Sequence, residues 1–570
     1  MQTKTERVDD IPVLAIEFEK SNLINVLDQY FPDHGNWKGI SGGKVTVGFL
    51  IYILSCSDHR LSHVETWASQ RLITLQYCLN SPNMTCKDFT DDKLGSLLDR
   101  FSDDEKWTKF EHAHNQKLIN VYNLDLASEA IRLDAMITQS HRKALGDFQF
   151  GHSKQHRSDL PQLKTMVATL DPLAMPLCSA TVSGNTADDV LYLPVIKELM
   201  TNLHLLHQLF VGDAKMGSLI IRSFLQLNNQ YYLTPLSKKQ CTPSKLAEYL
   251  AQKPEELTPI ITKDKKGVTI LKAQAFELLE RIEDETNGIC WEERRIIVYS
   301  LAYAKSQQIS FENRLLKAQN DLGLILEASQ GRKKLTSKAD VQAVITQILT
   351  KYRVNNFIDV KINEQVTTKI VRKYKDRPEQ IRATSHFDLE ISLNETAKEE
   401  HLQKLGWRAY ACNAPQEKLD TTQVVECYRN EYKIEHKFDE LLNKITALMP
   451  VYLGKPNRIR GLIRLLLFAL KYVSLIQYQV RSELKTTKQS LKELYPGNPG
   501  RTTDKPTTNM ILSAFKNIHL TIVSIEDKIY VKIEDLKPIQ QKILDLLKIP
   551  PETYLRMNQL FFSHFDFSET

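Results

Sequence analysis

The chain has 570 residues, too many for a single hydrophobic core, so two to four domains are expected. Its 42% hydrophobic and 25% charged content is that of an ordinary soluble globular protein. A net charge of +6 does not require a nucleic-acid partner but permits one where the charge is clustered. The N-terminal residues Met1–Asp10 contain no apolar signal region. The longest apolar run, Leu462–Ile476, carries Arg464 and Lys471 and is too short for a bilayer, so it reads as a buried helix. Eight scattered cysteines without a Cys-x-x-Cys pair argue against a zinc ribbon and for reduced thiols in a cytosol. A cytoplasmic protein with no membrane partner is expected.

Residues 1–125 read as a helical domain. Val45–Leu54 is apolar, Leu61–Leu75 is amphipathic, and Leu94, Leu97, Leu98 and Phe101 fall at helical spacing within Asp88–Phe101. From 130 the texture changes to short β-like runs at 131–137, 164–170, 176–182 and 208–213. Helical stretches follow at Asp188–Leu203 and Gly217–Leu225, which together predict a mixed α/β sheet. Between 229 and 411 lie further strand candidates, Gln230–Leu236, Arg294–Tyr299, Phe357–Ile362 and Trp407–Cys412, with a helix pair between Tyr303 and Thr350. Helical character returns at Gln423–Leu448 and Arg458–Leu484, and 508–556 reads as helix, hairpin, helix. Residues 453–505 hold eleven basic side chains against three acidic ones, an excess that suits a DNA backbone.

Three acids stand out by context. Asp134 sits inside the apolar run Ala130–Ile137, and Asp213 ends the run Gln208–Asp213. Glu435 lies on the helix-like segment 428–438. Acids are rarely buried unpaired inside apolar runs, and open α/β sheets place ligands at strand ends. Carboxylates are the ligands that Mg²⁺ and Mn²⁺ prefer. His152 and His156 stand at i, i+4, but with Lys154 and Arg157 beside them they read as a solvated loop or a phosphate contact rather than a metal site.

The segments Gly151–Gln162, Ser183–Asp189 and Val211–Asp213 resemble motifs of bacterial insertion-sequence transposases of the acidic-triad (DDE) type. The resemblance is to the long-chain branch with a tyrosine–arginine–glutamate–lysine signature. Ser57–Leu61 and Asp88–Asp92 resemble motifs of that branch's helical N-terminal domain, and Pro450–Ile459 resembles the segment after the signature. Such enzymes have an α/β ribonuclease-H-like catalytic core with a large β-rich insertion, plus helical N-terminal and mostly helical C-terminal domains. On this chain the divisions implied are 1–125, 126–228 (first part of the core), 229–415 (insertion with a helical arm), 416–490 (last part of the core) and 491–570. The acids are 79 and 222 residues apart, the second gap long enough for the insertion.

The resemblance makes Asp134, Asp213 and Glu435 the catalytic metal ligands, holding two Mg²⁺ or Mn²⁺ per active site. It makes Tyr428 the signature tyrosine, and Trp407 a platform for DNA bases. Lys154, Arg157, Arg458 and Arg460 are further DNA-binding candidates. The sequence departs from the signature twice, with Glu431 where an arginine belongs and Leu442 where a lysine belongs. The implied activity is metal-dependent, cut-and-paste strand cleavage and transfer at insertion-sequence ends. The implied partners are double-stranded DNA, as transposon ends and target, and a second copy of the chain in the synaptic complex, with nucleoid association. The alternative is a catalytically inactive, transposase-derived DNA-binding protein.

Overall fold

A computed structural model describes residues 2–126, 129–140, 143–151, 157–187, 189–263, 268–327, 335–371, 380–430, 453–525 and 528–560. The strands are β1 (Gln2–Arg7), β2 (Ala130–Gln139), β3 (Gln162–Leu170), β4 (Met175–Ser183), β5 (Leu209–Gly212), β6 (Tyr231–Pro235) and β7 (Thr258–Lys263). They continue as β8 (Thr269–Asp284), β9 (Ile289–Ser300), β10 (Ile358–Val371), β11 (Gln380–Leu393), β12 (Trp407–Cys412), β13 (His519–Ile525) and β14 (Lys528–Ile533). The chain forms two compact units. One comprises Met1–Thr234, Glu283–Ile289 and Cys427–Thr570, the other Pro235–Ile282 and Cys290–Glu426.

In the first unit the strands run in the order β4-β3-β2-β5-β6. β2 is antiparallel to β3, and β3 to β4, whereas β2 runs parallel to β5 and β5 to β6. Every residue of β3 is buried, as expected of a strand covered on both faces. Helix Pro456–Thr487 starts with proline at its first position, where the missing N–H costs nothing, and lies largely in the core. It packs against helix Asp91–Phe101 so closely that a Cβ on Gly461 would stand 2.0 Å from the carbonyl oxygen of Leu98. Further along it meets helix Asp104–Tyr122, where Phe468 contacts the rings of Trp107, Phe110 and His114. Lys471, fully buried, donates to Glu111 (2.7 Å), Asn115 (2.9 Å) and the Leu177 carbonyl of β4. The apolar run read as a buried helix is therefore this helix, with its two cations paired inside the fold.

The N-terminal region needs a correction. It is helical from Ile11, but it opens with β1, which pairs antiparallel with β13, itself paired with β14. β1 has no apolar residue to signal a strand, and its partner is more than 500 residues away. The amphipathic stretch 61–75 is two helices, Leu61–Ser69 and Leu72–Cys78, rather than one.

The second unit holds strands in the order β12-β9-β8-β7 and a separate long hairpin, β10–β11. Helices Leu301–Gly323 and Lys338–Tyr352 form the expected pair, and their apolar faces pack through Phe311, Leu315 and Ile345 onto the hairpin. No described helix is long and apolar enough to cross a membrane.

Candidate active site

Asp134 lies in the middle of β2, and Asp213 directly follows β5. The parallel register pairs Leu133 with Gly212, so its next step sets Asp134 against Asp213 on strands about 5 Å apart. Asp134 lies within β2 and Asp213 is the first residue beyond β5, so the two acids stand near the C-terminal end of β5, between interior strands of the sheet. Both residues are partly exposed.

Each acid is held by its surroundings. The Asp134 carboxylate accepts from the backbone N–H of Ala135 at 2.7 Å. Asp213 Oδ1 accepts from the Tyr192 hydroxyl and from the Lys215 backbone N–H, each at 2.8 Å. Tyr192 is buried on helix Asp189–Leu203, so its hydroxyl is delivered from a rigid element. The Asp213 carbonyl accepts from the Thr234 hydroxyl of β6 at 2.8 Å, fixing the turn after β5. Both side-chain bonds on Asp213 fall on Oδ1, which leaves Oδ2 for another partner. Two hard oxygen donors side by side suit a divalent cation of the Mg²⁺ type. Among the described residues no group of three or more His, Cys, Asp or Glu could hold a metal. The third expected ligand, Glu435, lies outside the described residues, as do Glu431 and Leu442.

Sequence reasoning passed over Arg132. It stands two residues before Asp134 and therefore on the same face of β2. Its guanidinium is 2% exposed and bonds Asp171 Oδ2 through Nε (3.1 Å) and Nη2 (2.8 Å). Nη2 also donates to the carbonyl of Cys427 at 2.8 Å. Arg132 thus ties the residue before Tyr428 to the face of the sheet that carries Asp134. Burial raises the Cys427 thiol to about 11. A cation inside an apolar strand, in phase with the candidate acid, was the signal available in the sequence.

The two motif segments around 151 and 184 come together at the start of β3. Gln162 exchanges backbone bonds with Gln149 and donates its side chain to the Gly184 carbonyl at 3.1 Å. A Cβ on Gly184 would stand 1.8 Å from the Gln162 carbonyl oxygen, so the crossing requires glycine. Lys164 caps the arrangement by donating to the Thr186 carbonyl at 2.7 Å.

The remaining candidates fall in several places. Lys154, with His152 and His156, is outside the described residues. Arg157 is exposed and forms an ion pair with Asp159 at 2.8 Å. Tyr428 is partly buried in the last turn of helix Thr421–Arg429. Trp407 opens β12 opposite Tyr299 and packs against the rings of Tyr299 and Phe276, inside the second unit's own aromatic cluster. Arg458 pairs with Asp99 at 3.0 Å, and Arg460 with Asp104 and Asp147. Their charges are shared with acids of the same unit.

The model of the transposase DDE domain matches residues 133–471, more than half of the chain and a span that includes both aspartates. The chain belongs to the transposase DDE-domain family. The domain is one of DNA transposition and recombination, and its presence together with the mixed sheet order supports a ribonuclease-H-like core. A domain of unknown function matches residues 3–112, the first strand and the helices after it. No curated protein matches this DDE-family chain. A solved piggyBac transposase synaptic complex with hairpin DNA is similar at 11% identity over 62% of this chain and 76% of that one, with a TM-score of 0.26 that adds no weight to any assignment.

Proposed function

We propose that this transposase-family chain cleaves and joins DNA strands at the ends of an insertion sequence, in the manner of the long-chain bacterial branch. The observation that carries the reading is the parallel pairing of Leu133 with Gly212, the residues immediately before Asp134 and Asp213. With Glu435 the two aspartates would hold two Mg²⁺ or Mn²⁺, which supply positive charge for the attacking and leaving oxygens of a phosphodiester. The protein's own groups do the positioning. Tyr192 and the Lys215 amide hold Asp213 Oδ1 and so fix which oxygen faces outward. Arg132 holds the last turn of helix Thr421–Arg429 through the Cys427 carbonyl.

The reaction is hydrolysis of one phosphodiester at an element end, followed by attack of the freed 3′-hydroxyl on a second phosphodiester. Each step makes one bond to phosphorus and breaks one. Duplex DNA and a second copy of the chain in a synaptic dimer are the partners of this reading. A second reading, binding of element ends without cutting, is favoured by Glu431 and Leu442 in place of the signature's basic residues. The test is incubation of the chain with DNA bearing the element's own ends, with Mg²⁺ or with a chelator. Cleavage that requires Mg²⁺ and is lost in Asp134→Asn supports the enzyme; binding without cleavage selects the second reading.

A further inference from the structure

The long helix Pro456–Thr487 treats its cations differently along its length. Arg458, Arg460, Arg464 and Lys471 are each matched to acids of the same unit, Asp99, Asp104 with Asp147, Asp104 and Glu111 respectively. Beyond the last of these the pattern changes. Arg481, Lys485, Lys488 and Lys505 line a cleft of about 530 Å³ in which Asp504 is the one carboxylate among the lining residues. Lys485, Lys488 and Lys505 are exposed and form no ion pair among the described residues. Glu483, the helix's own acid here, is held by Lys548 at 2.8 Å. Lys542 adds a further cation at the rim, donating to the Ser490 carbonyl at 3.1 Å.

Helix capping does not account for these lysines. Of the last four carbonyls, those of Lys485 and Leu484 are taken by the backbone N–H groups of Lys488 and Gln489, and no hydrogen bond from these lysines to a helix carbonyl is present among the described residues. The opposite wall is fixed by Arg481, which donates to the carbonyls of Pro506 (2.9 Å) and Lys505 (3.2 Å). The cleft is therefore a built concavity whose ammonium groups face outward. It lies beyond both matched spans, 3–112 and 133–471.

We infer that this cleft holds the sugar–phosphate backbone of duplex DNA. The inference rests on the proposed DNA reaction for its choice of polyanion. Side chains that offer ammonium groups alone position a backbone and carry no base readout, so the contact is independent of sequence. Each phosphate neutralised by a lysine releases counterions, and log K falls with log salt by about 0.9 per contact.

The test measures binding of the full chain to a fluorescent duplex of arbitrary sequence in a chelator, across roughly 50 to 200 mM salt. Lys485→Glu, Lys488→Glu and Lys505→Glu are combined in one variant, and a companion carries arginine at the same positions. The glutamate variant, with its fold verified by circular dichroism, is expected to lose roughly tenfold or more in affinity and about 0.9 in salt slope for each lost contact. The arginine variant is expected to keep both. Wild-type binding with a glutamate variant of unchanged slope overturns the cleft and leaves the DNA reading standing. Calorimetric binding of inorganic phosphate that depends on the lysines, with the duplex slope unchanged, overturns it in favour of a single-anion pocket. Because no divalent metal is present, absence of cutting has no effect on the result.

Discussion

Replacing Arg132 by methionine would separate what this residue does for stability from what it does for chemistry. Methionine keeps most of the volume and removes three bonds, two to Asp171 and one to the Cys427 carbonyl. The ion pair has 2% and 12% of its side-chain surface exposed, so the remaining carboxylate would be left buried without its cation. Removing one partner of such a pair costs about 3–5 kcal/mol. Adding Asp171→Asn should return part of that loss by removing the carboxylate's charge, leaving the carbonyl bond, about 1.5–3 kcal/mol for a charged donor, still missing. The double variant should then stay about 1.5–3 kcal/mol less stable in urea than the wild type and be slow in Mg²⁺-dependent cleavage, since the last turn of helix Thr421–Arg429 has lost its anchor. Recovery of both stability and cleavage in the double variant would refute the anchoring role. A single variant that costs under about 1 kcal/mol would refute the buried pair itself.

Four further outcomes follow from the geometry. Asp134→Asn and Asp213→Asn should each abolish cleavage in a gel assay while gel-shift affinity for end DNA stays close to wild type, because affinity comes mainly from phosphate contacts. Tyr192→Phe should slow cleavage roughly tenfold, the equivalent of one bond to a charged acceptor, with little change in the urea midpoint. Gly461→Ala should destabilise by about 1–3 kcal/mol, since its methyl would overlap the Leu98 carbonyl and force the helices apart, and circular dichroism melting would register it. Glu198, raised to about 7 by burial and then by Glu111, contributes stability that is fully present below the usual carboxylate range and lost as pH rises through about 7. Glu198→Gln should therefore match the wild type near pH 4 and gain on it as pH rises to about 7, levelling off above, in urea midpoints measured across that range.

Where the chain announced its structure, it did so through local pattern. The apolar runs of β2 to β5 and the face of helix Asp91–Phe101 are set by burial, and burial leaves a record in spacing. β8 and β11 were passed over because much of their surface is exposed and polar residues mix with apolar ones along them. β1 could not be read at all, since its strand state is conferred by β13. At the site, Asp134 and Asp213 were legible as acids in apolar surroundings. Arg132 was hidden because its meaning depends on Asp171, brought in by the β2–β3 pairing, and on a carbonyl 295 residues away. Tyr192 left no signal, because a buried tyrosine on a helix looks like core until its hydroxyl is seen on Asp213. Lys471 reads as an interruption of an apolar run, yet it is the paired centre of that helix.

The pairing of β1 with β13 has a consequence for how the molecule is made. A ribosome adding roughly 5–20 residues per second needs about 25 to 100 s to travel from Arg7 to His519. Throughout that interval the first strand has no β partner. It is not idle, however: Glu6 is buried, and its carboxylate accepts from the backbone N–H groups of Ile73 and Thr74 and from the Thr74 hydroxyl. Those bonds can form as soon as helix Leu72–Cys78 has emerged, pinning the strand in place long before its sheet exists. A message cut short just before codon 519 would then yield a chain that holds the long helix Pro456–Thr487 but leaves this strand edge unpaired, the kind of surface on which unfinished chains stick to one another.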